Sequence, residues 1–182
     1  MRPLVDRERL DRFLAELGRR TDVPTRVYLV GGASALLHGF RESTIDIDLV
    51  IEPDPSPLLR SLPDLKRELD LNLELSSPLD FLPPLPGWRE RSRFLRQEGS
   101  VAIFEFDLYA QALAKIERGH ERDRADVAAL LGGGFVEPAR LRELYAAIEP
   151  ELYRFPAIDP EALREDLEQA LAAAGSGGAN AR

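Results

Sequence analysis

The chain has 182 residues, of which 44% are hydrophobic and 31% are charged, and its formal net charge is −8. This length allows one sizeable hydrophobic core but not two, and the negative charge argues against broad nonspecific nucleic-acid binding, which depends on cationic side chains. The lack of cysteine excludes disulfides and thiolate sites, and no apolar run approaches the ~18 residues of a membrane span, so a soluble cytoplasmic protein is expected.

The first part of the chain predicts a helix, a strand and a glycine turn. Apolar side chains recur at helical spacing over residues 4–18, which indicates an amphipathic helix. Residues 27–30 form a short apolar run that predicts a strand, and Gly31 and Gly32 follow it. Residues 33–38 then predict a short helix.

The next segment predicts a strand that contains two acidic residues, then a helix and a third strand. Residues 45–51 are apolar except where Asp46 and Asp48 interrupt them. A helical pattern covers residues 58–69, although a proline lies inside it, and residues 71–75 predict a strand.

The rest of the chain predicts a loop, a hairpin and several helices. Residues 76–87 contain four prolines and are therefore interpreted as a loop. Residues 91–96 and 101–106 read as the two arms of a hairpin. A helical pattern follows over residues 107–131, with a break at Gly119. Two further helices are predicted at 138–148 and 160–173.

The paired aspartates carry the first chemical signal. Asp46 and Asp48 stand two residues apart, so on a strand their side chains leave the same face about 7 Å apart. Two like charges at this spacing repel each other unless a cation lies between them, and carboxylate oxygens suit Mg²⁺ or Mn²⁺. The alternative is that both are ordinary surface charges on a solvated face.

The glycine turn carries the second signal. Gly31 and Gly32 open a helix after a strand, where the backbone can approach a phosphate closely and Ser34 can add a hydroxyl. The alternative is a tight turn that needs glycine only for its backbone angles. His38, at the end of the same short helix, is interpreted as a helix-end or packed imidazole and not as a catalytic group.

Together these signals resemble a known superfamily. Val30-Gly31-Gly32, thirteen intervening residues and Asp46-Ile-Asp48-Leu resemble the defining pattern of the DNA polymerase β-like nucleotidyltransferases. The fuller string from residue 28 to residue 49 is similar to AbiEii-type proteins and to uncharacterised bacterial nucleotidyltransferase-like proteins. By this resemblance, Arg41 and Thr44 join the nucleotide-binding candidates Gly31, Gly32 and Ser34.

A second segment is similar to the lysine, arginine and arginine-aspartate motif of AbiEii-type proteins. Its residues are Lys115, Arg118, Arg122, Asp123 and Asp126. If one helix ran through the segment, Lys115, Arg122 and Asp126 would share a face, and the cations could steady a triphosphate. The alternative is that Asp123 caps a new helix after the glycine break, with Asp126 completing a capping-box-like pair.

The resemblance implies an α/β (α+β) fold, a small mixed β-sheet flanked by helices. The resemblance covers about residues 27–131, and a nucleotidyltransferase-fold domain with an N-terminal helix is expected at residues 1–150. A C-terminal helical extension is expected at 151–174 and a disordered tail at 175–182. The implied chemistry uses bound Mg²⁺ or Mn²⁺ to transfer a nucleoside monophosphate from an NTP to an acceptor hydroxyl.

A third carboxylate completes the metal site in such enzymes and can take the proton of the attacking hydroxyl. Glu74 on the third predicted strand is the first candidate, and Asp70 and Asp80 are the alternatives. The acceptor is open among tRNA, a protein and a small molecule, and a toxin–antitoxin role with a cognate antitoxin is considered. The competing hypothesis is a catalytically inactive, partner-binding or antitoxin-like module with the same fold.

Overall fold

The computed structural model describes residues 3–53 and 57–177. Its strands are β1 Thr25–Val30, β2 Ile47–Glu52, β3 Leu73–Leu75, β4 Arg93–Glu98 and β5 Val101–Glu105. Its α-helices are α1 Arg7–Leu17, α2 Gly31–Leu37, α3 Leu62–Glu68, α4 Trp88–Arg91, α5 Leu108–Arg118, α6 Glu121–Gly132, α7 Pro138–Ile148 and α8 Pro160–Gly177. Shorter 3₁₀ helices cover Pro57–Ser61, Pro78–Asp80 and Glu149–Arg154. Within these described ranges, no helix is both long and apolar enough to cross a bilayer.

The five strands form one mixed sheet in the order β3-β2-β1-β5-β4. β1 runs antiparallel to β2 and parallel to β5, while β2 runs parallel to β3 and β4 runs antiparallel to β5. The predicted α/β class, a small mixed sheet flanked by helices, is confirmed. Because β1 and β2 are antiparallel, the last residues of β1 and the first residues of β2 lie at the same end of the sheet.

Each strand of the sheet centre has one face in the hydrophobic core. Along β2, Ile47, Leu49 and Ile51 are buried, whereas Asp48 and Glu52 alternate with them and are half-buried. This alternation follows from the two-residue period of a strand. The core face packs against the apolar side of α1, whose buried side chains are Leu10, Phe13, Leu14 and Leu17.

The chain divides into two compact units. The first contains the residues up to Ser77 together with Ser92–Phe106, and therefore holds the whole sheet with α1 to α3. The second contains Pro78–Arg91 and the chain from Asp107 onward. Its interior is built from helices, with buried leucines on α5, α6, α7 and α8.

Several predicted boundaries shift for identifiable reasons. Thr44 forms an isolated antiparallel bridge with Val5, so the chain bends after it and β2 begins only at Ile47. Asp46 therefore precedes the strand in which the sequence pattern placed it. The helix predicted over 58–69 is a 3₁₀ turn followed by α3, because Pro63 is accepted only in the first turn of an α-helix.

Smaller shifts affect the third strand, the hairpin and the C-terminus. β3 begins at Leu73, two residues after the predicted start, and the hairpin arm before Gly99 begins at Arg93 because α4 occupies the residues before it. The helices predicted at 138–148 and 160–173 are confirmed as α7 and α8. α8 continues through Gly177, and the remainder of the predicted tail, 178–182, lies outside the described residues.

Candidate functional site

The glycine turn at the end of β1 is packed against the acidic strand. Gly31 has a φ of 62°, a backbone conformation that residues with a side chain rarely adopt. A Cβ atom on Gly31 would lie 2.5 Å from Asp48 Oδ2. Asp48 is also the register partner of Val30 on β1. The carboxylate of Asp48 thus lies directly against the turn, in space that only glycine at position 31 leaves open.

Thr44 occupies the corresponding space beside Gly32. A Cβ on Gly32 would collide with Thr44 Oγ1, although the backbone of Gly32 is not in the left-handed region. The same hydroxyl donates a hydrogen bond to the carbonyl of Asp46 at 3.1 Å. Thr44 is buried, so its side chain supports the bend that leads into β2. The structure therefore places Gly31 against Asp48, and Gly32 and the backbone of Asp46 against Thr44. The roles of these residues in binding nucleotide and metal stay predictions.

The acidic residues at this end of the sheet have partners on β3 and immediately before it. Asp46 accepts a hydrogen bond from the side-chain amide of Asn72, and Ile47 N–H donates to the carbonyl of Asn72 at 2.9 Å. Glu74 is the register partner of Asp48 across the parallel β2–β3 pair, and its side chain is exposed. Register partners face the same side of a sheet. Glu74 therefore stands beside Asp48 on the neighbouring strand.

The two alternative third carboxylates are not on β3. Asp70 follows α3 with a φ of 50°, and its backbone carbonyl accepts a hydrogen bond from Arg9 at 3.0 Å. Asp70 thus lies just after the end of α3 and two residues before Asn72. Asp80 belongs to the 3₁₀ helix Pro78–Asp80 in the second compact unit. Of the three candidates, Glu74 is the one paired in register with Asp48.

The acidic residues of this site are of the chemical type that would bind magnesium together with the phosphates of a substrate. Among the residues that the structure describes, no group of three or more histidine, aspartate or glutamate side chains is arranged to hold a metal. Mg²⁺ is commonly bound by one or two carboxylates, with phosphate and water oxygens completing its shell. Asp46 and Asp48 would be the pair of hard oxygen ligands for such an ion, a role that stays a prediction. Glu74 is the register partner of Asp48 on β3.

Ser34 does not point its hydroxyl into open space. It is 3% exposed, and its hydroxyl donates a 2.5 Å hydrogen bond to Glu105 Oε1. His38 Nε2 lies 2.7 Å from the same oxygen. His38 is the C-cap of α2 and is nearly buried, so its interpretation as a packed helix-end imidazole is confirmed.

Sequence reasoning missed two residues of this region. Glu105 ends the otherwise apolar strand β5 and is 1% exposed, so the signal that singled out the aspartate pair, an acid within an apolar run, was present there too. Asn72 gave no comparable signal, because an asparagine before a three-residue strand is an ordinary surface residue. Only the pairing of β2 with β3 brings it to Asp46.

The lysine and arginine segment forms a buried ion cluster in the second unit. Lys115 Nζ lies 2.6 Å from Asp126 Oδ2 and 3.3 Å from Asp123 Oδ1, and Arg118 binds Asp123 with two hydrogen bonds of 2.6 and 2.7 Å. The side chains of Lys115, Asp123 and Asp126 are 8%, 4% and 6% exposed. Lys115, Arg118, Asp123 and Asp126 therefore form one cluster of opposite charges.

The break predicted at Gly119 is confirmed, because Gly119 adopts a left-handed φ of 68° and separates α5 from α6. The single helix considered for this segment therefore does not form, and the alternative for Asp123 is wrong. Asp123 does not cap the second helix, since the N-cap is His120 and no side chain bonds there. Lys115 and Asp126 still meet, but from two packed helices. Arg122 is exposed on α6 and Arg41 is half-buried after α2, and their nucleotide-binding roles stay predictions.

The charge state of Asp123 follows from its neighbours. Burial raises the pKa of this carboxyl group, but the hydrogen bond from Arg118 and the charge of Lys115 outweigh burial and bring the pKa below its usual value. The group is therefore ionised at neutral pH. Lys115 is thus held between two carboxylates and is not a free cation.

Gly32→Ala is expected to destabilise the protein by about 1–3 kcal/mol, the cost of overpacking a tight site. The new methyl group would meet the Thr44 hydroxyl, and Thr44 cannot move without losing its hydrogen bond to Asp46. Gly132→Ala is the matched control, because a Cβ there meets nothing within 4 Å. Urea unfolding measures both variants. Equal free energies of unfolding for the two would contradict the tight packing, whereas Thr44→Ala should partly rescue Gly32→Ala.

A comparison with known families gives a match over most of the chain. The sequence profile of a family described as "Nucleotidyltransferase of unknown function (DUF6036)" matches residues 8–155. The match includes the glycine turn, both aspartates, Glu74 and the buried ion cluster, and it ends before α8. No curated protein and no solved structure matches the chain.

Proposed function

Because the chain belongs to this family of nucleotidyltransferases of unknown function, we propose that it transfers a nucleoside monophosphate from an NTP to an acceptor hydroxyl. The observation that carries the proposal is the contact between the Gly31 turn and the Asp48 carboxylate, with Glu74 in register beside it. The contact supports a nucleotide site, because a glycine turn lets a phosphate approach the backbone and an adjacent acid can hold a cation.

In the proposed reaction, Asp46 and Asp48 hold a divalent cation, and Glu74 completes the acidic site. Mg²⁺ or Mn²⁺ bound there would neutralise the negative charge of the nucleotide phosphates and of the leaving group. The hydrogen bond from Asn72 orients the carboxylate of Asp46, as outer partners of metal ligands commonly do. The Gly31 turn limits the positions open to the carboxylate of Asp48.

Glu74 is the proposed general base. It is exposed, so an acceptor can reach it, and it lies beside Asp48 on the neighbouring strand. As the acceptor oxygen bonds to the α-phosphorus, its proton passes to the Glu74 carboxylate, and the bond to the β,γ-pyrophosphate breaks. Pyrophosphate then leaves with the electron pair of the broken bond.

The likeness to AbiEii-type proteins extends the proposal to the acceptor. It supports a hydroxyl of tRNA or of a protein as the acceptor, with a small-molecule hydroxyl as the third option. It also supports a toxin–antitoxin role, in which a cognate partner protein would restrain the activity. The net charge of −8 favours an acceptor that is not held by a broad basic surface.

A second candidate function is nucleotide or partner binding without turnover. It is favoured by two polar groups that already bind other side chains of the protein. The Ser34 hydroxyl donates to Glu105, and Lys115 is shared between two aspartates, so neither contributes a free group to a phosphate in this arrangement. An assay that measures binding and transfer separately distinguishes the two functions.

We expect label from α-³²P-NTP, but not from γ-³²P-NTP, to appear on one class of acceptor. The protein is incubated with each NTP and Mg²⁺ together with total RNA, total cell protein or a small-molecule extract. EDTA and Asp48→Asn should both remove the signal. Label that arrives from the γ-position would indicate phosphoryl transfer instead, and Mg²⁺-dependent nucleotide binding without label in any fraction would support the binding module.

A further inference from the structure

We propose that Glu105 is a positioning residue whose buried negative charge holds the Gly31 turn in the shape that binds nucleotide. The inference rests on the proposed function, since it deals with the same nucleotide site. Glu105 does not need to touch the substrate for this role. It acts on the turn through two side chains of α2, Ser34 and His38.

The carboxylate of Glu105 lies on the helix-covered face of the sheet and is 1% exposed. Oε1 accepts the hydrogen bond from Ser34 and lies 2.7 Å from His38 Nε2. Arg93 reaches Oε2 at 3.2 Å, which makes an ion pair. This contact lacks hydrogen-bond geometry, and within the described part of the chain Oε2 has no hydrogen-bond donor.

The placement of Glu105 explains how it can act on the turn. It is the last residue of β5 and the register partner of Leu29, two residues before Gly31. Ser34 and His38 are four residues apart, so they lie on one face of α2. One oxygen, Glu105 Oε1, therefore contacts side chains from both ends of this short helix and links them to the end of β5.

The energetics favour a positioning role over a purely stabilising one. A buried carboxylate loses its hydration, and replacing a buried ion pair with apolar side chains is often neutral or stabilising. α2 is only seven residues long and has no side-chain cap, so it is poorly stable by itself. A charged acceptor, which makes stronger hydrogen bonds than a neutral one, fixes the orientation of the helix and hence of the turn.

The carboxylate of Asp48 depends on that orientation. A Cβ on Gly31 would approach its Oδ2 to 2.5 Å, so a rotation of α2 that moved Gly31 would also move or release the carboxylate. Glu105 is thereby linked to the proposed metal ligand through α2 and the turn. The effect of losing its charge is expected in the nucleotide complex more than in the overall fold.

The test compares Glu105→Gln with Asp107→Asn. The glutamine keeps the size of the side chain and one carbonyl acceptor but loses the charge. Asp107 is an equally buried carboxylate, two residues further along, that pairs with Arg91 at 2.6 Å in the second unit. We expect Glu105→Gln to weaken Mg²⁺-ATP binding and to lower kcat for transfer by about 10–100-fold, the range typical of outer partners of a metal site. Asp107→Asn should leave both unchanged for the folded protein.

A double-mutant cycle identifies the route of the effect. Ser34→Ala should reproduce the loss seen in Glu105→Gln, and the double variant should lose little more, because both act through one contact. Ser34→Thr, which keeps the hydroxyl, should restore most of the activity. Independent and additive losses, or a Glu105→Gln variant that binds and transfers like the wild type, would overturn the proposal.

Amide hydrogen exchange provides a readout that does not depend on the proposed function. In Glu105→Gln the amides of residues 31–34 should exchange at least tenfold faster than in the wild type, whereas Asp107→Asn should leave them unchanged. If the wild type neither binds nor transfers nucleotide, the proposed function fails, and the exchange rates still decide whether Glu105 holds the turn. Unchanged exchange in Glu105→Gln would reject the positioning role by itself.

Discussion

Asp48→Asn is expected to lower nucleotidyl transfer by roughly 10³-fold, the order lost when a principal charge-stabilising group is removed from an active site. Asparagine has nearly the same size, so it fits beside Gly31, but it lacks the charge that binds a divalent cation. The fold should persist because Asp48 is half-buried and outside the apolar core. Initial rates with α-³²P-NTP, together with circular dichroism and the urea midpoint, measure both effects.

Glu52→Gln is the matched control for this prediction. Glu52 lies on the same face of β2 at the far end of the strand, where its carboxylate accepts a hydrogen bond from Tyr28 at 3.2 Å. Removing its charge should change transfer by no more than about twofold, as for a residue away from the reaction. Asp46→Asn should lower the transfer rate as Asp48→Asn does. Equal transfer rates in Asp48→Asn and Glu52→Gln would refute the metal site.

Lys115→Ala is expected to destabilise the protein by about 3–5 kcal/mol, the cost of removing one partner from a buried ion pair. Asp126 would lose a cation that stands 2.6 Å away, and Asp123 would keep only Arg118. Both carboxylates are almost fully buried, so water cannot replace the lost contacts without local opening. The free energy of unfolding in urea measures the loss.

Arg142→Ala provides the comparison for an exposed ion pair. Arg142 and Glu168 lie 2.7 Å apart but are 50% and 51% exposed, so the loss should stay below about 1 kcal/mol. Lys115→Met combined with Asp126→Leu should recover much of the stability, because it removes the buried carboxylate together with its ammonium partner. If Lys115→Ala cost no more than Arg142→Ala, the cluster would not be a buried, mutually dependent group.

Acid should weaken the same cluster. The pKa of Asp123 is below its usual value of 3.8 in the folded protein, because Arg118 and Lys115 outweigh the effect of burial. A carboxyl group with a lowered folded pKa adds stability that is fully present above the unfolded value and is lost as the pH falls through the folded value. The wild type should therefore lose this contribution below pH 3.8, and Asp123→Asn should lack that part of the pH dependence.

The parts of the site that are close in sequence were predictable. The glycine turn and the aspartate pair belong to neighbouring elements, β1, α2 and β2, and each leaves a local mark, glycines after an apolar run or acids within one. The mixed sheet came from the resemblance that these marks support. Even here the start of β2 was misplaced, because the bridge between Thr44 and Val5 joins segments about 40 residues apart.

Contacts between distant segments were not predictable in the same way. The carboxylate of Glu105 lies within hydrogen-bond reach of Ser34 across 71 positions, and Asn72 reaches Asp46 across 26, so their roles depend on strand order and register. In the lysine segment the break at Gly119 was predictable, but the contacts across it were not. Lys115 and Asp126 share a face only on a single helix, whereas in the structure they meet across two helices.

The Asp48 carboxylate fills the space beside Gly31, and this contact limits which substitutions related sequences can carry at the two positions. While the carboxylate occupies that space, a side chain at position 31 is excluded both by the contact and by the φ of 62°. If the acid were lost, the steric exclusion would end, and asparagine, which tolerates a left-handed backbone, could replace the glycine. Related sequences should therefore change these two positions together. A non-glycine residue at position 31 would mark a lineage in which the acid has been lost.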